Sequence, residues 1–194
     1  AIGVSYLLQS VAQLVYGSKA RPSPFPSMGA LKIQGVTIQI SSVITLVAAT
    51  AIMIALTVFI KTTRLGRAMF AVSEDRSAAQ LMGVNVNMII SVTFAIGSVL
   101  AAFASLFYML QIPLVDPTLG SMPGIKAFTA AVIGGIGSIP GAMVGGLFLG
   151  IVEKLVQSIP GVGPYTTAIE FAILILILMF RPTGLLGKKR REKV

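Results

Sequence analysis

Residues 61–86 of the chain read KTTRLGRAMFAVSEDRSAAQLMGVNV, a polar stretch between two long apolar runs at residues 38–60 and 88–110. A helix needs about 20 predominantly apolar residues to cross the hydrocarbon core of a bilayer. Both runs are long enough, so the polar stretch is predicted to be a loop between two membrane spans. An open sheet edge cannot be satisfied in lipid, so we expect an all-α fold, a polytopic helical bundle without β-sheet.

The loop contains the signals of a short helix of its own. Ser73 is predicted to cap its start, with Glu74 and Asp75 in the first turn, where acidic side chains suit the positive end of the helix dipole. Gly83 is predicted to end the helix, because glycine readily adopts the left-handed conformation that commonly follows a last turn.

An apolar stripe runs along this predicted helix. Ala78, Leu81 and Met82 stand at positions i, i+3 and i+4, which fall on one helical face. Such a stripe on a polar loop needs a partner, which is lipid, the rest of the chain or another protein. The alternative is a solvated connector whose charges only fix the membrane topology.

The composition is that of a membrane protein. Hydrophobic residues make up 55% of the chain and charged residues 11%, whereas soluble domains carry roughly 25% charged residues. The formal net charge of +9 suggests nucleic acid as a partner, but the basic residues cluster in loops beside apolar runs, as topology determinants do. We therefore expect lipid, and no nucleic acid, around this chain.

The chain lacks the residues on which enzymatic chemistry usually depends. The chain has no histidine and no cysteine, which removes the usual general base, metal ligand and thiolate. A phosphate-binding loop of the form G-x-x-x-x-G-K-[ST] is also absent from the sequence. Asp116 and Glu153 read as isolated acids. The sequence therefore predicts no enzyme, no cofactor, no metal site and no ATP site of its own.

Three strings carry a resemblance to a known family. Ser77-Ala78-Ala79, followed after three residues by Gly83, matches the EAA…G loop of ATP-binding cassette (ABC) importer permeases. The longer string GRA…SEDRSAAQLMGVNV, at residues 66–86, resembles the permeases of branched-chain amino acid importers. AAVIGGIGSIPGA at residues 130–142 and FRPTGLLG at residues 180–187 are similar to the same family. Ser77 departs from the pattern, since the family usually has Glu there.

The resemblance implies a function for the loop. In these families the segment is a coupling helix that docks in a groove of a cytoplasmic ATPase. The residues that would make this contact are Glu74, Ser77, Ala78, Ala79, Leu81, Met82 and Gly83. The other implied partners are a second permease subunit and an external substrate-binding protein. The chain starts inside an apolar segment without a signal-peptide pattern, so we expect the C-terminal part of a permease that lacks its first spans.

The remaining apolar segments predict further spans. Residues 1–17, 142–156 and 165–180 each read as a span or most of one. The three prolines at 22, 24 and 26 exclude a helix in residues 18–37, which we expect to be an external loop. Residues 111–124, with Pro113, Pro117 and Pro123, read as a turn-rich loop.

A short broken segment lies at residues 126–137. As a helix it would measure about 18 Å, which is less than the roughly 30 Å of a bilayer core. The breaker cluster at residues 134–141 follows it. One interpretation is a broken helix that borders the translocation path, with Gly134, Gly135 and Gly137 as candidates. The other is a tight turn packed among helices.

Glu170 is the last candidate for the translocation path. It stands inside the final predicted span, and an ionisable side chain within a span is a functional candidate by default. It also lies less than two turns from the predicted start of that helix, so the alternative is that it reaches the lipid headgroups.

Charge placement predicts the topology of a single permease domain over residues 1–194. The tail at residues 181–194 holds six basic residues, and basic clusters next to a span mark the cytoplasmic side. With the tail inside, and with the short segment at residues 126–137 counted as an inward crossing, the alternation of spans puts the loop at 61–86 in the cytoplasm as well and residues 18–37 outside. We expect a multi-pass protein of a prokaryotic cell membrane.

Two other functional classes stay open. An ion-coupled secondary transporter would explain the broken segment, but the predicted spans hold almost no acids to bind cations. A membrane scaffold would explain the small-residue faces but leaves the coupling-like loop without a role. Within the ABC class, urea and sugars are alternative solutes.

Overall fold

The computed structural model describes residues 2–23, 29–33 and 36–187. Within this part of the chain there are eight α-helices: α1 Ile2–Tyr16, α2 Ile40–Thr62, α3 Arg64–Glu74, α4 Arg76–Leu81, α5 Val86–Met109, α6 Ser121–Gly134, α7 Ile139–Gln157 and α8 Thr166–Phe180. Pro24, Pro26 and the basic residues from Lys188 onward lie outside the described residues. The all-α prediction is confirmed.

Four helices of the described part are long and apolar enough to cross a membrane. They are α2, α5, α7 and the segment Gly163–Phe180, in which a 3₁₀ turn at Gly163–Tyr165 leads into α8. Large apolar side chains stay exposed along them, among them Val47, Phe94 and Ile175. A helix that is apolar all round fits contact with lipid rather than with water.

Two short antiparallel ladders depart from the prediction that no sheet forms. Strand β1, Arg21–Pro22, pairs with β4, Leu114–Val115, and β2, Ala30–Ile33, pairs with β3, Val36–Gln39. All four strands lie outside the candidate spans. The requirement for a closed hydrogen-bond pattern holds in hydrocarbon, so it does not exclude ladders in the connecting segments.

The chain divides into two compact units, Ala1–Gly120 and Ser121–Val194. In the first unit, α3 folds back directly after α2, because Thr63 ends one helix and caps the next. Its side chain accepts a hydrogen bond from the Gly66 N–H over 3.0 Å. A Cβ at Gly66 would overlap the backbone of Ile60, so glycine is needed at this corner.

A small core fixes α3, α4 and α5 to one another. Val72, Ala79 and Ile89, one from each helix, are buried together. The half-buried apolar residues around them are Ala68, Met69, Val84 and Val86. Helix α3 was not predicted from the sequence, which indicated only one helix in this loop.

In the second unit, α6 and α7 form an antiparallel hairpin with a four-residue link at residues 135–138. A Cβ at Gly134 would overlap Gly141, and one at Gly145 would overlap Ala130, so the two backbones are in close contact. Gly135 and Gly137 turn the chain with φ of 107° and 93°, values that favour glycine.

Two predicted boundaries in this unit were wrong. Helix α6 begins at Ser121 rather than at residue 126, so Pro123 lies in its first turn, where the missing N–H costs nothing. Helix α7 begins at Ile139 rather than at residue 142, because the Ser138 side chain caps it by accepting from the Gly141 N–H over 3.1 Å.

Candidate functional sites

The helix of the predicted coupling loop is α4, and its cap is not the predicted one. Asp75 occupies the junction of α3 and α4 with an extended backbone. Its carboxylate accepts from the N–H groups of Ser77 over 2.8 Å and Ala78 over 3.0 Å. Ser73 instead lies within α3 and donates to the Phe70 carbonyl over 2.7 Å. Glu74 is the last residue of α3, so neither residue belongs to α4.

Gly83 closes the helix in the way the sequence predicts. Its φ is +82°, and its N–H donates to the carbonyl of Gln80 over 3.0 Å. The N–H of Val84 donates to the Ala79 carbonyl over 3.1 Å. These two bonds make a Schellman motif, which satisfies the carbonyls at the end of the helix.

The predicted stripe on α4 is exposed. Leu81 and Met82 have relative exposures of 89% and 84%, and Ala78 is exposed as well. Ala79, by contrast, is 4% exposed and anchors the helix to the core of α3 and α5. The helix is therefore held firmly on one side and presents two large apolar side chains on the other.

A polar groove of about 530 Å³ lies beside α4. Ser77, Gln80 and Arg76 line it from the helix, and Asn85 and Asn87 line it from the start of α5. Ser77, the residue that departs from the family pattern, thus faces an open, polar space. A longer side chain at this position has room there.

The glycines proposed for the translocation path lie at the link between α6 and α7. The segment after α8 packs against this link: Leu185 N–H donates to the Ile133 carbonyl over 2.8 Å, and Leu186 N–H donates to the Gly134 carbonyl over 3.0 Å. Two carbonyls at the end of α6 are thus already paired within the unit. This geometry favours the tight-turn alternative for Gly134, Gly135 and Gly137.

Glu170 belongs to a cluster of three charged side chains. Lys126 Nζ lies 2.8 Å from Glu153 Oε1 and 3.2 Å from Glu170 Oε1. Glu170 is only 3% exposed, while the side chains of Lys126 and Glu153 are about one third exposed. The interpretation that Glu153 is isolated was wrong. Both interpretations of Glu170, a place on the translocation path and a reach to the headgroups, stay predictions.

The positions of these three residues along their helices were a sequence signal for the cluster. Lys126 lies near the start of α6, Glu153 near the end of α7 and Glu170 near the start of α8. Consecutive antiparallel helices bring these three ends together. Asp116 is also not isolated, because Thr118 donates to it from its hydroxyl and its N–H, and these hydrogen bonds lower the pKa of its carboxyl.

These features define a class, a multi-pass helical membrane protein with two exposed apolar side chains on a short helix between two spans. A family model described as "branched-chain amino acid transport system / permease component" matches residues 1–178. The chain belongs to this family.

Curated relatives agree with the family model. The high-affinity branched-chain amino acid transport system permease protein BraD of Pseudomonas aeruginosa is 44% identical over the whole chain, which covers 64% of BraD. The permease protein LivH of Escherichia coli K12 is 42% identical with the same coverage. The fructose import permease protein FrcC of Rhizobium meliloti is 35% identical over 59% of the chain and 33% of its own length.

The chain thus spans less than two thirds of the length of BraD and LivH. No solved structure matches it significantly.

Proposed function

We propose that the chain is part of a permease subunit of an ATP-binding cassette importer, in which α4 docks on a separate cytoplasmic ATPase. The observation that carries this proposal is the exposure of Leu81 and Met82 on a helix whose opposite side is anchored by Ala79. Burial of one such side chain is worth about 1.5–3 kcal/mol, so the loss of either contact would measurably weaken docking. ATP hydrolysis belongs to the partner, and the permease itself is not an enzyme.

The substrate is a branched-chain or similar hydrophobic amino acid, moved by alternating access. Support comes from the similarity to BraD and LivH, which are permeases of branched-chain amino acid transport systems. A second candidate is a sugar, which is favoured by the more limited similarity to the fructose permease FrcC. Uptake of leucine, urea and ribose, measured in parallel with the cognate binding protein, separates these candidates. Uptake of ribose alone would overturn the amino acid assignment.

The same proposal includes the partners of the permease and its topology in the membrane. An external binding protein delivers the substrate, and a second permease subunit completes the path across the cell membrane of a prokaryote. Residues 61–86 and the tail at residues 181–194 are cytoplasmic, and the whole chain belongs to one permease domain. Lipid covers the apolar faces of the spans.

Co-purification tests the docking contact. We expect Leu81→Asp to reduce recovery of the ATPase at least tenfold, because a loss of about 1.5 kcal/mol corresponds to a factor of roughly ten. Membrane abundance should not change, because Leu81 has little contact with the fold. The matched control is Ile159→Asp, an exposed apolar residue in a loop proposed to be external. Full ATPase binding and full transport by Leu81→Asp would refute the proposal.

A further inference from the structure

Helices α6, α7 and α8 of the second unit are held together in different ways at their two ends. At one end, Lys126 joins α6 to α7 and α8 through side chains only. At the other end, the segment after α8 joins the link of α6 and α7 through main-chain hydrogen bonds from Leu185 and Leu186. The two ends therefore differ in what must break before the helices can separate.

The main-chain end resists separation. A Cβ at Gly135 would overlap Gly187, and a Cβ at Gly184 would overlap Gly135, so the backbones of the two segments lie in direct contact. Separation would leave the carbonyls of Ile133 and Gly134 without these donors, and buried carbonyls without partners are costly. Ile133 has no exposed surface, in agreement with a closely packed end.

Within the residues that the structure describes, one cation holds the ionic end. Lys126 is the one basic side chain that the described part of this unit places within ion-pair distance of Glu153 and Glu170. Glu170 is 3% exposed, so its carboxylate reaches water only if α8 moves away from its neighbours. A buried carboxylate that loses its partner is strongly unfavourable. Loss of the Lys126 contact and opening of this end are therefore coupled.

We propose that Lys126, Glu153 and Glu170 form an ionic latch. The latch keeps α6, α7 and α8 together at this end, and the unit opens here by separation of α8 from α6. The glycine contacts at Gly135, Gly184 and Gly187 stay packed during the movement and act as its fixed end. The latch is a property of the packing of this unit and does not depend on which solute is transported.

Cysteine labelling tests the latch, because the chain has no cysteine of its own. Thr129 and Ile133 lie three and seven residues after Lys126, on the same face of α6, and are 2% and 0% exposed. Thr129→Cys reports on the ionic end and Ile133→Cys on the glycine end. The measurement is the rate of maleimide labelling of the complete permease in detergent micelles.

Removal of the cation should open one end only. With Lys126→Met, we expect labelling of Thr129→Cys to become roughly tenfold faster, as in local opening, and labelling of Ile133→Cys to stay unchanged. Glu153→Gln keeps the pair of Lys126 and Glu170, so it should have little effect. The double change Lys126→Met with Glu170→Met removes the unpaired charge and should restore slow labelling of Thr129→Cys.

Three results would overturn the latch. The first is an unchanged labelling rate of Thr129→Cys after Lys126→Met. The second is equal acceleration at Thr129→Cys and Ile133→Cys, which would indicate general loosening rather than opening at one end. The third is fast labelling of the double Met variant, because the charge would then not be the cause. Since labelling is measured without transport, it is independent of the proposed importer function.

Discussion

The backbone N–H of Leu185 donates to the carbonyl of Ile133 over 2.8 Å, and this bond ties the segment after the last helix to the end of α6. It uses a carbonyl that has no partner within its own helix. The FRPTGLLG string, which resembles the permease family at the level of sequence, therefore has a structural role in this chain. It caps the link between α6 and α7.

Replacement of Gly184 should loosen this cap. Its φ is +75°, and a Cβ there would overlap Gly135 and the Val132 carbonyl. We expect Gly184→Ala to destabilise the second unit by about 2–4 kcal/mol, from left-handed strain and overpacking together. Thermal unfolding in detergent measures this as a lower Tm.

The matched control for this change is Gly150→Ala. Gly150 lies within α7 and has open space around its Cβ position. Alanine has the higher helix propensity, so this variant should be as stable as the parent or more stable. An equal loss of Tm in both variants would contradict the role given to Gly184.

The cap of α4 leads to a second prediction. Asp75→Ala removes the acceptor for the N–H groups of Ser77 and Ala78 and should destabilise the helix by about 1 kcal/mol. Ser73→Ala is the control, since Ser73 donates to a carbonyl within α3 and should have a smaller effect. Protection of residues 76–81 from hydrogen exchange distinguishes them. Greater exchange in Ser73→Ala than in Asp75→Ala would restore Ser73 as the cap.

Gly83 supports a third prediction. Nothing lies within 4 Å of a Cβ at this position, so only the backbone conformation penalises a side chain. Gly83→Ala should cost about 1–2 kcal/mol, and Gly83→Asn should cost less, because Asn tolerates the left-handed region better. Tm and ATPase recovery should therefore fall more with Gly83→Ala than with Gly83→Asn. If both variants equal the parent, the left-handed exit is not required.

The sequence predicted what depends on local patterns and missed what depends on tertiary contacts. Apolar runs predicted the four candidate spans, together with a full or partial span at residues 1–17, where α1 has 15 residues. Gly83 predicted the end of α4. Helix α3 was missed although Thr63 is a readable candidate for its N-cap. The close contact of Gly66 with Ile60 at this corner could be seen only in the structure. Two neighbouring candidates for a cap, Ser73 and Asp75, could be distinguished only by their hydrogen bonds.

The candidate sites divide in the same way. The stripe of Leu81 and Met82 could be predicted because helical spacing alone puts it on one face. The cluster of Lys126, Glu153 and Glu170 could not, since its members are up to 44 residues apart and meet only through helix packing. An acidic residue with no charged neighbour in the sequence can therefore still form an ion pair in a helical bundle.

The topology gives a fourth prediction. Ser77→Cys and Ser158→Cys are both exposed and lie in loops proposed to be on opposite sides of the membrane. An impermeant maleimide added to intact cells should label Ser158→Cys and not Ser77→Cys. Both should react after the membrane is opened, which controls for accessibility. Labelling of Ser77→Cys alone in intact cells would show that the proposed topology is inverted.

The departure of this chain from its family pattern gives the last prediction. Ser77 is the second residue of α4, where a carboxylate interacts favourably with the helix dipole by about 0.3–1 kcal/mol. It also lines the polar groove with Arg76, a basic partner on the same helix. Ser77→Glu should therefore fold normally and keep ATPase binding. Ser77→Lys is the matched control, because a cation at this end of the helix is unfavourable and lies beside Arg76. ATPase recovery that falls with Ser77→Glu and not with Ser77→Lys would mean that the docking surface of this chain rejects the acidic residue typical of its family.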